Sequence, residues 1–136
     1  MFNIVLIGEP IPKKRPRFST RAGFVQTYDA QKTEKEITIM QLKQQLAQIR
    51  VLKPLESQIS IEMTFHTPQP KFWSLKRKER EFGKYNPKRP DIDNYCKFYL
   101  DAMNKIVYKD DGQVVRLYAQ KVYAYDPRTE ISFTPI

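Results

Sequence analysis

Residues Gln58 to His66 alternate without a break. Ile59, Ile61, Met63 and Phe65 are apolar, and Gln58, Ser60, Glu62, Thr64 and His66 are polar. Successive side chains of an extended chain point to opposite faces, so this period of two predicts a half-buried strand. Pro68 and Pro70 end it, because proline cannot donate to a ladder. A half-buried strand needs neighbours and a covering layer. Phe2 to Ile7 is an uninterrupted apolar run that reads as a central strand covered on both faces. Ile39, Leu42, Leu46 and Ile49 recur at spacings of three and four and predict a helix from about Asp29, its candidate N-cap, to Arg50. Asp93 to about Val107 predicts a second helix. Its broad apolar face, formed by Tyr95, Tyr99, Ala102 and Ile106 with Cys96, Leu100, Met103 and Val107 beside them, belongs against a sheet.

Shorter elements fill the gaps. Ser74 to Phe82 permits a short helix that Gly83 and Pro87 stop, and Ala22-Gly23 suits a small hairpin turn in an otherwise irregular segment. Gln113 to Tyr125 reads as a long strand, and Ile131 with Phe133 marks a last short one. The whole predicts one small domain over residues 1–136, an α/β or α+β fold with a mixed sheet flanked by two main helices.

Charge narrows the function. The chain carries +9, and two segments hold more than all of it. Pro12 to Arg21 has five basic residues and no acid, and Lys71 to Arg89 has eight basic and two acidic, so together they contribute +11. Two positive loops on a near-neutral body point to a polyanion, nucleic acid ahead of a membrane. Lys13, Lys14, Arg15, Arg17 and Arg21 are expected to contact phosphate, as are Lys76, Arg77, Lys88 and Arg89. Phe72, Trp73, Phe82 and Tyr85 are interleaved with the second set, where aromatic rings can stack on exposed bases. Trp73, following two prolines, is the ring expected to be exposed, whereas Phe82 and Tyr85 equally suit a core or dimer contact.

Cys96 is the single cysteine, which excludes an internal disulfide and a multi-cysteine metal site, and it is expected to be buried. No apolar run approaches the ~18 residues of a membrane span. The first ten residues have neither a basic lead nor an apolar stretch of signal-peptide length. The expected location is cytoplasmic. His66, alone on a polar strand face, reads as a surface residue rather than a general base.

Against this basic background, acids gather in one place. Asp91 and Asp93 are two residues apart, positions that share a side in extended chain. Asp93, at the start of the second predicted helix, can cap it or turn outward. Asn94, Lys97, Asp101 and Asn104 continue from them as a polar helical stripe, and Asp110 and Asp111 follow before the next strand. Three or four carboxylates are hard oxygen ligands that suit Mg²⁺ or Mn²⁺ rather than zinc. Such an ion activates water and stabilises charge on a scissile phosphate, and a lysine beside it supports the same charge. Taken singly, each element also fits a cap, a turn or a surface ion pair of about 0.3–0.5 kcal/mol.

The run RPDIDNYCKFYLDAMNKIVYKDDGQVV resembles the signature of the RusA family of Holliday junction resolvases. The matching elements are Asp91, Asp93, Asn94 and Lys97, then Leu100, Asp101 and Met103, then Asp110, Asp111, Gln113 and Val114. The resemblance implies a Mg²⁺-dependent endodeoxyribonuclease that resolves four-way DNA junctions by paired nicks in recombination and repair, of a type common in phages and prophages. It implies Asp91, Asp93 and Asp111 as catalytic metal ligands, with Asp110 beside them, and Lys97 as the supporting lysine. Two symmetric nicks require two sites about a two-fold axis, hence a homodimer, with no small-molecule cofactor. A DNA-binding module without catalysis, an RNA-binding protein and a less selective flap or fork nuclease are the competing readings.

Overall fold

The structure is a computed structural model that describes residues 1–14, 17–21, 23–28 and 31–136, the stretches 17–21 and 24–28 by backbone alone. The described elements are strands β1 (Phe2–Ile7), β2 (Arg17–Arg21) and β3 (Phe24–Tyr28), helix α1 (Lys32–Gln48), strand β4 (Ile59–Thr67), helices α2 (Leu75–Glu81) and α3 (Ile92–Met103), and strands β5 (Val114–Tyr123) and β6 (Arg128–Pro135). Four strands form one mixed sheet in the order β1-β6-β4-β5, and β2 and β3 form a separate antiparallel ribbon. The β4–β5 pair is parallel. A parallel pair needs a crossover connection, and here the connection carries α2, α3 and all four candidate aspartates.

The alternation read at Gln58 to His66 sets the core. Ile59, Ile61, Met63 and Phe65 are fully buried, and their registered neighbours Ile131 and Phe133 of β6 are buried with them. Ile4 and Leu6 of β1 continue the same face. Leu42 and Leu46 of α1 and Tyr95, Phe98, Tyr99, Ala102 and Met103 of α3 cover it. Phe65 stacks on Tyr95 and Tyr99, with ring centroids 4.9 and 5.8 Å away. Cys96 is buried as expected. Both main helices therefore lie on one face of an α+β sheet, and no helix among the described residues is long and apolar enough to cross a membrane.

Three readings need correction. β1 is an edge strand rather than a central one, with Val5 38% and Ile7 70% exposed. An apolar run cannot say which of its faces a second layer will reach, and among the described residues no helix packs on the far side. The last strand is eight residues long and lies inside the sheet, between β1 and β4. Its polar members Glu130, Ser132 and Thr134 sit on the side away from the helices, which hid its length. Finally, α1 begins at Lys32 with Gln31 as N-cap. The candidate cap Asp29 lies outside the described residues.

Because Phe65 joins β4 to two aromatic rings of α3, Phe65→Ala should destabilise the fold by about 3–5 kcal/mol. A denaturant midpoint that hardly moves would show that the helix is held elsewhere.

Candidate active site and nucleic-acid interface

Asp91 is the N-cap of α3, so the helix starts at Ile92, one residue earlier than its apolar pattern alone indicates. Its backbone is extended (φ −67°, ψ 145°), and its side chain makes no capping hydrogen bond. Asp93 lies in the first turn, where the helix dipole favours a carboxylate. Lys97 stands one turn on, with Nζ 3.9 Å from Asp93 Oδ2. Both side chains are about two-thirds exposed, so this pair is weak and easily exchanged. Asp101 is a further turn along, and its Oδ2 accepts hydrogen bonds from Lys13 Nζ and Lys35 Nζ, both at 3.1 Å.

The amino-terminal basic segment lies along this stripe. Ile11 N donates to Tyr99 Oη at 3.0 Å and Lys13 N to the Asn94 carbonyl at 2.8 Å. From the other side, the Gln31 amide brackets the segment, donating to Pro12 O and accepting from Lys14 N, each at 2.7 Å. Lys13 is thereby carried onto α3.

The acidic pair before β5 divides its roles. Asp110 Oδ2 accepts from Gly112 N at 3.0 Å, and Gln113 Oε1 accepts from Asp110 N at 2.8 Å, a reciprocal cap on the single 3₁₀ turn Asp111–Gln113. A Cβ at position 112 would stand 2.7 Å from Asp110 Oδ2, so glycine lets this carboxylate close over the turn. Gln113 Nε2 also donates to Leu55 O and Ser57 O, both at 2.8 Å, fastening the turn to the segment before β4. With Asp110 engaged, Asp111 lines an open groove of about 330 Å³ with Lys13, Lys97, Leu100 and Asp101. The field of these acids reaches the core edge. Burial raises the Tyr108 hydroxyl far above its ordinary value, and Asp111, Asp101 and Asp110 add to it.

Asp91 lies toward the other end of α3, beside a lysine that sequence reasoning passed over. Lys121 of β5 donates from Nζ to Lys88 O at 2.6 Å and Pro90 O at 2.8 Å, holding the chain immediately before Asp91. Burial lowers the Lys121 ammonium, and Asp91 opposes that. Its only signal in the sequence was a lysine within a Val- and Tyr-rich strand, and the register with the buried Phe65 that fixes its face is set by tertiary structure. Lys35 had no such signal, because it is one of several lysines along α1.

Of the expected nucleic-acid contacts, Lys14, Lys76, Arg77, Lys88 and Arg89 are exposed. Arg15 lies outside the described residues, and Arg17 and Arg21 are described only as backbone of β2. Trp73 is a correction. It is 8% exposed, packed edge-on against Tyr123, with the Arg77 guanidinium 4.2 Å from its ring centroid. A loop position after two prolines said nothing of the apolar surface that β5 offers it. Phe82 and Tyr85 are exposed rather than core, and Phe82 stacks on Tyr125 at 4.6 Å. His66 is mostly covered, with Nε2 3.4 Å from Glu130 Oε1, not a surface residue.

Among the described residues, no three His, Cys, Asp or Glu side chains stand together as a ready-made cation site. The donors are nonetheless all oxygen, and Mg²⁺ is commonly held by one or two carboxylates with substrate phosphate and water completing its shell. The set fits such an ion in kind.

Asp101 also makes the site sensitive to acid. Burial alone would raise its carboxyl, but the hydrogen bonds from Lys35 and Lys13 outweigh it and hold the carboxyl below its ordinary value. A lowered folded value contributes stability that is present above the unfolded value and lost as pH falls through the folded one. Replacing Lys13 and Lys35 by Met should therefore move the midpoint of the Asp101 carboxyl titration, followed by NMR, to higher pH. An unmoved titration would show that the lysines do not control it.

Comparison with known proteins identifies the family. The family described as Endodeoxyribonuclease RusA matches residues 8–134. The chain is 35% identical over 130 residues to YqaN of Bacillus subtilis (strain 168), covering 91% of this chain and 89% of that one, a protein described only as uncharacterized. It is 29% identical over 136 residues to the crossover junction endodeoxyribonuclease rusA of Lactococcus phage r1t, covering 99% of this chain and 97% of the phage protein. The groove that α3, the amino-terminal segment and the turn before β5 build together is thus carried by a member of the RusA endodeoxyribonuclease family.

Proposed function

We propose that the protein is a divalent-metal-dependent endonuclease that resolves four-way DNA junctions as a homodimer. The observation that carries this reading is the groove lined by Lys13, Lys97, Asp101 and Asp111, whose Lys97 also pairs at 3.9 Å with Asp93 one turn back on its own helix. Family membership and the phage relative's description as a crossover junction endodeoxyribonuclease support it.

Asp91, Asp93 and Asp111 would hold Mg²⁺, or Mn²⁺ in its place, and the bound ion would activate water and stabilise charge on the scissile phosphate. Asp110 is spent on its turn and is the weaker donor. Lys97 makes a long, exposed pair with Asp93, so its ammonium can turn to a phosphate oxygen as DNA enters. Lys13 and Lys35, fixed on Asp101, form a positive edge that does not have to be ordered again on binding. Lys14, Arg15, Arg17 and Arg21, together with Lys76, Arg77, Lys88 and Arg89, would follow the arms of the junction through their phosphates. Paired nicks in a two-fold junction call for two such sites, one in each subunit. A cytoplasmic role in phage or prophage DNA recombination and repair fits this chemistry.

An end-labelled four-way junction compared with linear duplex of the same sequence, with Mg²⁺ and with EDTA, tests the proposal. Paired symmetric nicks should appear only on the junction and only with metal. Asp91→Asn and Asp93→Asn should abolish them while junction binding stays as tight, since removing negative charge does not weaken attraction for phosphate. Equal cutting of flaps or forks would widen the substrate class, and binding without cutting in either metal would leave a binding module. Replacing Lys13, Lys14 and Arg15 by Ala should lower the slope of log affinity against log salt by about one for each of these side chains that pairs with a phosphate. An unchanged slope would take that segment out of the interface.

A further inference from the structure

The segment between β4 and α3 carries a short helix that contributes nothing to the buried core. None of the residues of α2 is buried. Just before it, Phe72 is 85% exposed, and Leu75, the first residue of the helix, is 79% exposed. They are not loosely held. Between them Trp73 is buried against Tyr123, with Arg77 over its ring. Trp73 N donates to Pro70 O at 3.2 Å, Ser74 Oγ accepts from Arg77 N at 3.2 Å, and Gln69 Nε2 donates to Lys78 O at 2.8 Å. The anchor points inward, and the phenyl ring and the leucine are therefore held outward on a pinned turn. Two large apolar side chains held exposed three residues apart beside a pinned ring suit an interaction site.

The surroundings select the occupant. Lys71 to Lys84 contains six basic and two acidic residues, so two copies of this tip would bring like charges together. A polyanion that also presents apolar faces satisfies both features. Intact duplex hides its base faces in the stack, whereas a branch point interrupts stacking and leaves them open. The tip is also tied to the proposed site. Tyr123, on which Trp73 rests, is two residues along β5 from Lys121, which holds Pro90 next to Asp91. Two strand residues span roughly 7 Å.

We propose that Phe72, supported by Leu75, stacks on the base face left open at the branch point, giving the protein its preference for branched over linear DNA. This rests on the nuclease reading above. Stacking of a base on an aromatic side chain is independent of sequence, so this contact would select shape while the flanking cations supply affinity.

The test is binding of full-length protein, in EDTA, to a four-way junction carrying 2-aminopurine beside the crossover and to linear duplex of the same sequence. With wild type, the probe's fluorescence should change on junction binding. Phe72→Ala should abolish that change and weaken junction binding about tenfold, within the range measured for losing one base–aromatic stack. Duplex affinity and the salt slope should stay as they are, because every phosphate-binding cation is still in place, and Phe72→Trp should restore the signal. A variant that keeps the full junction preference would overturn this role of Phe72 and leave the nuclease reading intact. Equal losses on junction and duplex, or a changed sedimenting mass, would also overturn it, the latter by assigning the tip to self-association. Loss of binding to anionic phospholipid vesicles with junction preference unaltered would assign it to a membrane surface. A wild type with no junction preference would overturn both readings together.

Discussion

The packing of α3 on β4 through Phe65, Tyr95 and Tyr99 is the contact from which the rest of the site follows. Phe65 is fully buried between β4 and the rings of α3, and such a stack resists rotation of the helix about its axis because rotation would open a void. With that face committed, residues 93, 97 and 101 must lie on the outer side, one turn apart. A polar stripe on a free helix would be a solvated surface. Here it becomes a wall, because Ile11 and Lys13 bond directly to α3 and lay the amino-terminal segment beside it.

Charge in the groove is arranged so that attraction inside the protein does not cancel attraction for DNA. Asp101 takes two lysines and Asp110 takes a backbone amide. Asp93 is left with one long contact to Lys97, and Asp111 faces the groove. The structural acids are those with strong partners, and the acids proposed for chemistry are those without. A carboxylate already satisfied by hydrogen bonds is a poor ligand, since binding an ion would first require breaking them. Lys121 serves the same end from β5 by holding the backbone ahead of Asp91 rather than any carboxylate.

The aromatic residues of the second basic segment divide in a comparable way. Trp73, the largest ring, is the anchor, and the smaller Phe72 and Leu75 are displayed. Burying the tryptophan gains the most apolar area from one side chain and leaves a rigid mount carrying Arg77 and Lys76. The parallel β4–β5 pair accounts for the location, because its long crossover places this mount and α3 in a single connection.

Much of this was legible in the chain. Alternation at Ile59 to Phe65 and the apolar face of Asp93 to Val107 specified a half-buried strand and a helix lying on it, since both periods follow from backbone geometry alone. Asp91, Asp93, Lys97 and Asp111 gave the expectation of metal-assisted chemistry, because donor type is a property of the side chains. Tertiary structure decided what depends on partners far away in sequence. It made β1 an edge, drew Trp73 inside, gave Asp110 to its turn and Asp111 to the groove, and brought Lys13 of the amino-terminal segment, Lys35 of α1 and Lys121 of β5 to α3 and its approach. Local sequence sets which way a side chain points from its own element, and only the packed fold sets what it meets there.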